Sequence, residues 1–256
     1  MKSITSKDNP VYKGALKLLH KKYRDREGRY LIEGVKPLAD ALDSETEIET
    51  VFVREGTEAG AVSGDEQNVC LLAGDLFDRL SGTETSQGVI AVAKKKTGAV
   101  PEGRFLVLDR LQYPGNIGTI IRTAEAAGFG AVIAVKGTGD IYSPKVVRAA
   151  AGSLFRMAVA EGLETGEVKD LCRDRGLKLA VTALEGAADC YSADLTEAAI
   201  VIGNEGQGVS EEFLSAADIK VKIPMQGEIE SLNAAVAAAV LMYESTRQQT
   251  AAGKVK

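Results

Sequence analysis

The sequence predicts an α/β protein in which a small N-terminal α/β domain precedes a larger α/β domain built on a parallel sheet. Short apolar runs of strand length alternate with segments of helical periodicity along the whole chain. In the C-terminal part these runs are nearly unbroken, which is typical of strands buried on both faces of a parallel sheet. The alternation stops in a stretch that contains lysine, glycine and proline. We therefore expect domains at 1–95 and 104–256, joined by a linker at 96–103.

The N-terminal domain is expected to begin with a helix at 9–23, where Asn9 is in a capping position and Pro10 lies in the first turn. Further elements follow from apolar runs and from turn residues between them. The expected strands and helices are, in order, a strand at 29–33, a helix at 35–43, strands at 50–55 and 68–73, a helix at 75–82 and a strand at 88–96.

In the C-terminal domain, strands are expected at 104–109, 131–135, 178–183, 198–203 and 219–224. Helices are expected between them and at the end of the chain, at 116–127, 143–151, 165–175, 209–217 and 231–247.

Composition excludes several classes of protein. The chain has 256 residues, and none of its apolar runs reaches the 18 residues that suggest a membrane span, so we expect a cytoplasmic protein. Cys70, Cys172 and Cys190 are odd in number and widely spaced, which favours buried core residues over disulfides or a zinc site. His20 is the one histidine, and it lies in a basic segment, so a surface position is expected. A catalytic triad or a multi-histidine metal site is therefore not supported.

Charge is distributed unevenly. Residues 1–30 hold nine Lys and Arg and three acidic residues, a formal charge of +6, whereas the whole chain has −5. A basic arm on an acidic body can bind phosphates through counterion release. Charge alone leaves this interpretation and a solvated charged helix equally open.

Three glycine-marked stretches each follow an expected strand, at 113–130, 202–212 and 223–240. Open α/β sheets bind ligands at the carboxyl ends of their strands, so these stretches are candidate sites. Asn116 and Ser231 are in positions where helix caps are expected. The order of glycines at 203–208 is G-x-x-G-x-G, which differs from the dinucleotide fingerprint, and no P-loop occurs.

The three stretches, in this order, resemble the signature motifs of the SpoU/TrmH family of RNA ribose 2'-O-methyltransferases, within the SPOUT superfamily. The resemblance is carried by PGNIGTIIRTAEAAGFG, IVIGNEGQGVS and IPMQGEIESLNAAVAAAVLMYE. Residues 143–157 resemble a further family segment, and 29–42 and 82–93 resemble the substrate-binding domain that is often attached. Nearly the whole chain is covered.

The resemblance implies transfer of a methyl group from S-adenosylmethionine to a ribose 2'-hydroxyl of structured RNA. Ribosomal RNA is the favoured substrate and transfer RNA is the alternative. The reaction is expected to need no metal. The resemblance also implies catalytic roles for residues from all three motifs, in which Arg122 contacts the hydroxyl or a phosphate, Asn116 orients the ribose or Arg122, and Glu205 holds Arg122 or a neighbouring helix. The implied catalytic residues are Asn116, Arg122, Glu205, Ser231 and Asn233.

Further implied features concern ligands and partners. Three loops would bind the cofactor, through Thr182, Ala183, Leu184, Gly203, Glu205, Ile223, Met225, Ser231 and Leu232. The basic arm would grip RNA through Lys13, Lys17, Lys21, Lys22 and Arg24. The family also implies a C-terminal trefoil knot, which ordinary topology rules would exclude and periodicity could not show. It implies a homodimer as well. Ala235, Ala238, Ala239 and Met242 are candidates for packing either against a partner or within the chain.

Three departures from the family pattern bear on which RNA is bound. Tyr113 replaces the Asp that many relatives have before Pro-Gly-Asn, Ala150 replaces Ser, and Ala234 replaces Val. Three alternatives remain open: a non-catalytic RNA-binding protein of the same fold, a nucleotide-dependent oxidoreductase with an unusual glycine loop, and a base methyltransferase of a related knotted fold.

Overall fold

The computed structural model describes residues 2–57, 68–96, 102–229 and 231–254. Contacts divide the chain into two compact units, Met1–Thr97 with Tyr142–Phe155, and Gly98–Ile141 with Arg156–Lys256. The first unit thus includes residues 142–155, which lie within the expected C-terminal domain at 104–256. A single boundary at one point in the sequence cannot describe such a division. Helices and strands are numbered in chain order below.

The first unit contains a mixed five-stranded sheet with the order β1-β4-β3-β5-β2. β1 and β3 pair with β4 in parallel, and β5 pairs antiparallel with β3 and β2. Its strands are β1 (Lys2–Ile4), β2 (Arg29–Glu33), β3 (Ile48–Arg54), β4 (Val69–Leu72) and β5 (Val89–Lys94). Its helices are α1 (Pro10–Lys17), α2 (Lys21–Glu27), α3 (Val35–Asp43), α4 (Gly74–Leu80), α6 (Pro144–Ala149) and α7 (Ser153–Arg156).

The core of this unit lies between one face of the sheet and the helices α1 and α4, where Tyr12, Phe52 and Phe77 are almost completely buried. The Tyr12 hydroxyl donates to the Leu76 carbonyl oxygen at 3.1 Å, so the buried polar atom is satisfied. On the segment 142–155, the Tyr142 ring packs against Tyr30 with centroids 4.9 Å apart.

The second unit contains a seven-stranded sheet with the order β10-β12-β9-β11-β6-β7-β8, and all of its strand pairs are parallel. Its strands are β6 (Phe105–Asp109), β7 (Ala131–Val135), β8 (Ala158–Leu163), β9 (Lys178–Thr182), β10 (Ala188–Asp189), β11 (Ala198–Gly203) and β12 (Ile219–Lys222). Its helices are α5 (Pro114–Ala126), α8 (Thr165–Asp174), α9 (Glu211–Ala216) and α10 (Ala234–Ala251).

This parallel sheet confirms the fold class expected for the C-terminal region. β6, β7 and β11 are fully or almost fully buried, as their unbroken apolar runs predict. One core cluster includes Phe105, Val181 and Phe213, while α5 and α10 pack against each other and α10 also packs on β11. The knot implied by the family resemblance stays a prediction.

The expected single helix at 9–23 is wrong. α1 ends at Lys17, and His20 adopts an extended conformation (φ −104°, ψ 132°) before α2 begins. The break lets Leu18 reach the core, where it is 1% exposed. Asn9 does cap α1, because its side chain accepts from the backbone N–H groups of Val11 and Tyr12.

The strands β1, β8 and β10 were not expected from the sequence. β1 and β10 have only three and two residues, and β8 is a partly exposed edge strand containing a glutamate and a glycine. Each is therefore too short or too polar to give a clear apolar run. In the described part of the chain, no helix is long and apolar enough to cross a membrane.

Candidate active site

The candidate site lies in the second unit, where loops leave the carboxyl ends of four neighbouring strands. β12, β9, β11 and β6 are adjacent and parallel, so the segments that follow them reach the same edge of the sheet. These segments include 110–113, 182–184, 203–208 and 223–229. The three glycine-marked stretches of the sequence thereby come together within one unit.

The Glu205 carboxylate is the main polar centre of this edge. It accepts hydrogen bonds from the Asn116 side-chain amide (3.0 Å), the Tyr113 backbone N–H (3.0 Å) and the Gln112 backbone N–H (3.1 Å). All three donors belong to the start of α5, where a negative charge is favourable because of the helix dipole. Partial burial raises the pKa of Glu205, but the hydrogen bonds from these three donors outweigh this effect, and the pKa lies below the usual glutamate value.

Asn116 connects Glu205 to the third motif. Its side-chain oxygen accepts from the Asn233 side-chain amide at 3.0 Å, while its own amide donates to Glu205. The Asn233 oxygen in turn accepts from the backbone N–H groups of Ala235 (2.9 Å) and Val236 (3.3 Å) at the start of α10. The chain Glu205–Asn116–Asn233, called the Glu–Asn–Asn chain below, therefore joins one residue from each motif.

Two expected helix caps are wrong. Pro114 takes the first position of α5, so Tyr113 is the N-cap residue and Asn116 lies inside the first turn. α10 begins at Ala234 with Asn233 as its N-cap, and Ser231 precedes that cap by two residues. The asparagine carboxamide satisfies two free N–H groups of α10, which is the physical reason for this helix start.

The turn that carries Glu205 is built by a residue that the sequence analysis did not select. The Asn204 side-chain oxygen accepts from the N–H groups of Gly206 (2.9 Å) and Gln207 (3.0 Å), and its amide donates to the Arg110 carbonyl oxygen (2.8 Å). An asparagine two residues before a Gly-x-Gly sequence is a signal for such a turn. Gly203 is required beside it, because an added Cβ would overlap the backbone at 208–209.

Arg122 is exposed on the outer side of α5. Six residues separate it from Asn116, which places the two about 9 Å apart along the helix and about 120° apart around it. Its guanidinium makes no hydrogen bond or ion pair with any residue in the described ranges. Of the two roles expected for Glu205, holding Arg122 or holding a neighbouring helix, the contacts fit the second.

The expected cofactor residues frame an apolar edge with free backbone groups. The Thr182 hydroxyl donates to the Val201 carbonyl oxygen (3.1 Å), and the Ala183 N–H donates to the Val221 carbonyl oxygen (3.0 Å). Met225 and its neighbour Ile223 are half-buried, whereas Leu184 is 76% exposed. The backbone of 224–229 makes no hydrogen bond to other described residues. Half-buried apolar side chains beside free amides and carbonyls suit an adenine ring.

The remaining expected cofactor residues also lie at this edge. Gly203 ends β11, and Ser231 and Leu232 lie just before the Asn233 cap, where both are exposed.

The basic segment expected to bind RNA is only partly available. Lys13 pairs with Asp8 and Lys21 with Asp25, both at 2.6 Å, although all four side chains are exposed. The exposed Lys17 ammonium lies 5.8 Å from the Tyr23 ring centroid, and the exposed Lys22 makes no contact of this kind with described residues.

Arg24 corrects the list of expected RNA contacts, because it is 3% exposed and its guanidinium donates to the Leu18 carbonyl oxygen. The same turn of chain that buries Leu18 brings this arginine inward. A buried guanidinium cannot meet a phosphate without local rearrangement.

The other candidate reactive groups take the positions that the sequence predicts. The three cysteines are free and buried, and burial raises the pKa of the Cys172 thiol to about 12. His20 is exposed. Across the described ranges, no three His, Cys, Asp or Glu side chains converge as a metal site. The absence of a metal requirement stays a prediction.

Family comparisons agree with the two parts of the chain. The model of the SpoU rRNA Methylase family matches residues 103–243, and the model of the MRM3-like substrate binding domain matches residues 9–91. The first match includes the whole Glu–Asn–Asn chain.

Full-length relatives give the same result. The chain is 36% identical over 245 residues to the 23S rRNA (guanosine(2553)-2'-O)-methyltransferase RlmP of Bacillus subtilis, covering 95% of this chain and 98% of RlmP. It also resembles the AdoMet-bound rRNA methyltransferase from Sinorhizobium meliloti, with a TM-score of 0.84, 31% identity and coverage of 96% and 97% of the two chains.

A second solved relative is the SpoU methyltransferase AviRb from Streptomyces viridochromogenes in complex with AdoMet, with a TM-score of 0.83, 30% identity and coverage of 94% of this chain and 98% of AviRb. The similarity extends over nearly the full length of all three relatives, and the family model matches more than half of the chain. The chain therefore belongs to the SpoU rRNA methylase family.

Proposed function

We propose that this protein transfers a methyl group from S-adenosylmethionine to a ribose 2'-hydroxyl of ribosomal RNA. The observation that carries the proposal is the Glu–Asn–Asn chain, because it joins one polar residue from each of the three family motifs at the ligand-binding edge of the sheet. Family membership and the two AdoMet-bound relatives support the choice of cofactor. The half-buried apolar residues beside the free backbone of 224–229 fit its adenine.

Ribosomal RNA is favoured over transfer RNA as the substrate. The relative RlmP is named for a position in 23S rRNA, and its similarity covers both units of this chain. The substrate-binding domain model at 9–91 supports a role for the N-terminal region in RNA recognition. We accordingly assign RNA binding to residues 1–95 and catalysis to residues 104–256. Transfer RNA is the alternative substrate.

The cofactor supplies an electrophilic methyl group, and the protein must align a ribose hydroxyl with it. The polar side-chain atoms of Asn116 and Asn233 are already used in hydrogen bonds, so these two are positioning residues. Glu205 accepts three hydrogen bonds and has a lowered pKa, which makes it a weak base. None of the three is therefore suited to remove the hydroxyl proton.

Arg122 and Ser231 have side chains exposed to solvent. A guanidinium is a poor base but a good clamp for a phosphate. We assign to Arg122 the binding of a substrate phosphate and the orientation of the hydroxyl, whose proton leaves to phosphate or water. Ser231 is suited to hold the hydroxyl by a hydrogen bond. Most of the catalysis then comes from alignment of the reacting groups.

The first prediction concerns Arg122. Total RNA from a strain lacking this enzyme is incubated with labelled S-adenosylmethionine, and the methyl group is expected on one ribose 2'-oxygen of ribosomal RNA. Arg122→Ala should lower turnover by about 100-fold, because the hydroxyl loses its alignment. Cofactor affinity, measured by calorimetry, should remain unchanged.

The matched control is Arg173→Ala, which removes an exposed arginine from α8. Turnover of Arg122→Ala near the wild-type rate would contradict the role of Arg122. A methyl group on a base would contradict the proposed reaction, and label in transfer RNA would favour the alternative substrate.

The second prediction concerns Glu205→Gln. A carboxamide offers one accepting oxygen and turns its NH2 group toward backbone donors, so the melting temperature at pH 7 should fall by a few degrees. The stabilisation by a carboxylate of lowered pKa is complete above the unfolded-state pKa of about 4.3 and is lost as the pH falls through the native value. The difference between wild type and variant should therefore shrink below that pH.

Calorimetric melting scans of both proteins between pH 3.5 and 8, with exposed Glu185→Gln as the control, measure this difference. A difference that is absent at pH 7, or that grows toward low pH, would show that the Glu205 carboxylate does not brace α5.

The third prediction concerns the basic arm. We propose that Lys13, Lys17, Lys21 and Lys22 contact RNA phosphates, without Arg24. Changing all four lysines to Gln should weaken RNA binding, and the slope of log affinity against log salt should decrease by roughly one for each lost phosphate contact. The double variant Lys169→Gln and Arg173→Gln on α8 is the control. An unchanged slope would rule out phosphate binding by this segment.

A homodimer is also proposed, with α10 at its interface. Val236 and Tyr243 are 49% and 52% exposed, and seven residues place them on one face of the helix. Ala235, Ala238 and Met242 are buried within the chain, so they pack internally. The apolar side chains left exposed on α10, with the family resemblance, support a second copy as the occupant of this face.

The fourth prediction is that the double variant Val236→Glu and Tyr243→Glu is a monomer. Two carboxylates in an apolar interface would lose hydration without gaining partners. Sedimentation equilibrium measures the mass, and Lys169→Glu, exposed on α8 and therefore outside the proposed interface, is the control. A monomeric wild type, or a double variant that still forms dimers, would contradict the assignment.

A further inference from the structure

Tyr113 combines a fixed backbone with a free side chain at the edge of the candidate site. Its N–H donates to Glu205 at 3.0 Å, and it directly precedes the first residue of α5. Its side chain is 70% exposed. The ring therefore starts from a well-defined position, one helical turn before Asn116, and extends into solvent.

Three other tyrosines are buried and have partners, whereas Tyr191 and Tyr243 are exposed like Tyr113. Tyr12 is 1% exposed and its hydroxyl donates to a carbonyl oxygen, while the rings of Tyr30 and Tyr142 pack against each other at a tilt of 50°. By contrast, no described residue stacks on the Tyr113 ring or bonds to its hydroxyl. Its ring contributes nothing visible to the packing of this chain.

The position itself also favours a different kind of residue. Tyr113 is the N-cap of α5, where small polar residues satisfy the first free N–H groups, and it makes no side-chain cap. Asn9, Ser143 and Asn233 all form such caps in the same chain. Glu205, from another loop, supplies the negative charge at this helix end. A tyrosine here is thus explained neither by packing nor by capping.

We propose that Tyr113 is a substrate-binding residue that stacks on the base of the nucleotide whose ribose is methylated. This inference rests on the proposed function, because methylation of a 2'-hydroxyl requires one nucleotide to enter the site. Proteins that bind unpaired RNA nucleotides commonly stack aromatic rings on their bases. A base is joined directly to its ribose, so a ring one helical turn from Asn116 is within reach of it.

Stacking also fits the chemistry of the ring. Every base has a flat π-face, so a tyrosine can hold the nucleotide without an obligatory hydrogen bond. Identification of the base is then left to other groups. The hydroxyl of Tyr113 is not needed for this contact, which separates stacking from hydrogen bonding in an experiment.

The test measures the affinity of the protein, saturated with S-adenosylhomocysteine, for a fluorescent fragment of ribosomal RNA that contains the mapped methylation site. Tyr113→Ala should weaken binding about 10-fold, corresponding to about 1.4 kcal/mol at 25 °C. Tyr113→Phe should bind like wild type. Tyr191→Ala, which removes another exposed tyrosine of the same unit, is the matched control and should also bind like wild type.

A second RNA carries an abasic residue at the target nucleotide. If the ring stacks on that base, wild type should bind the abasic RNA about as weakly as Tyr113→Ala binds either RNA, so the two changes are not additive. Cofactor affinity and melting temperature should be the same in all variants. Four results would each overturn the proposal. They are a change in cofactor affinity or melting temperature, additive losses of affinity, RNA binding by Tyr113→Ala as tight as by wild type, and RNA binding by Tyr113→Phe as weak as by Tyr113→Ala.

Failure of the proposed function gives a different result from failure of the stacking proposal. If wild type binds ribosomal RNA but transfers no methyl group to ribose, the proposed reaction is wrong. The comparison of wild type with Tyr113→Ala on intact unmodified ribosomal RNA needs no turnover, and equal affinities there would still exclude stacking.

Discussion

The hydrogen bonds to the Glu205 carboxylate are the interaction on which the candidate site depends. Two backbone N–H groups and one side-chain amide at the start of α5 all converge on this single charge. Hydrogen bonds to an ionised acceptor are stronger than neutral ones. The carboxylate also lies where the α5 dipole favours negative charge. It therefore sets the position of α5 relative to the loop after β11, and Asn116 passes this constraint on to Asn233 and α10.

The parallel sheet makes this convergence possible. β11 and β6 are hydrogen-bonded neighbours, with Gly203 opposite Asp109, although almost a hundred residues separate them in the chain. The groups that follow these two strands are therefore close together. The buried Asp109 carboxylate strengthens the connection, because it accepts from the Ser210 N–H at 2.6 Å on the far side of the Glu205 turn. The sheet holds both ends of the turn, and Asn204 shapes its middle.

The local sequence pattern was sufficient to predict the bounds of strands that are buried on both faces. β7 (131–135) and β11 (198–203) have the expected bounds, because an apolar run between turn residues has few other solutions. Pattern failed where a strand gains its stability from one neighbour, as in the edge strand β8. It also failed at His20, because no glycine or proline marks the break between α1 and α2. The strand order depends on long-range packing, which no local pattern encodes.

The same distinction applies to the site. Asn116, Glu205 and Asn233 could be selected from their motifs, but the contacts between them could not. The N-caps of α5 and α10 lie three and two residues from the expected positions, because Pro114 and Asn233 determine where these helices begin. Arg24 shows the limit of counting charge, because a charge count carries no information about which way a side chain faces. Asn204 lies inside the second motif and was overlooked, since its importance depends on backbone geometry. Tyr113 was noted only as a departure from the family pattern, because its exposure and fixed backbone cannot be read from the sequence.

Arg122 is the part of the proposed mechanism that the protein leaves incomplete. The Glu–Asn–Asn chain is fully hydrogen-bonded without a substrate, whereas the Arg122 guanidinium has no acidic partner among the described residues. An exposed arginine costs little in this state because water solvates it. The guanidinium is therefore available for an anion that the described residues do not supply. The RNA backbone brings that anion, and phosphate is a good geometric match for a guanidinium. The guanidinium charge would then be balanced only when RNA is bound, which couples the orientation of Arg122 to the presence of the nucleotide that is to be methylated.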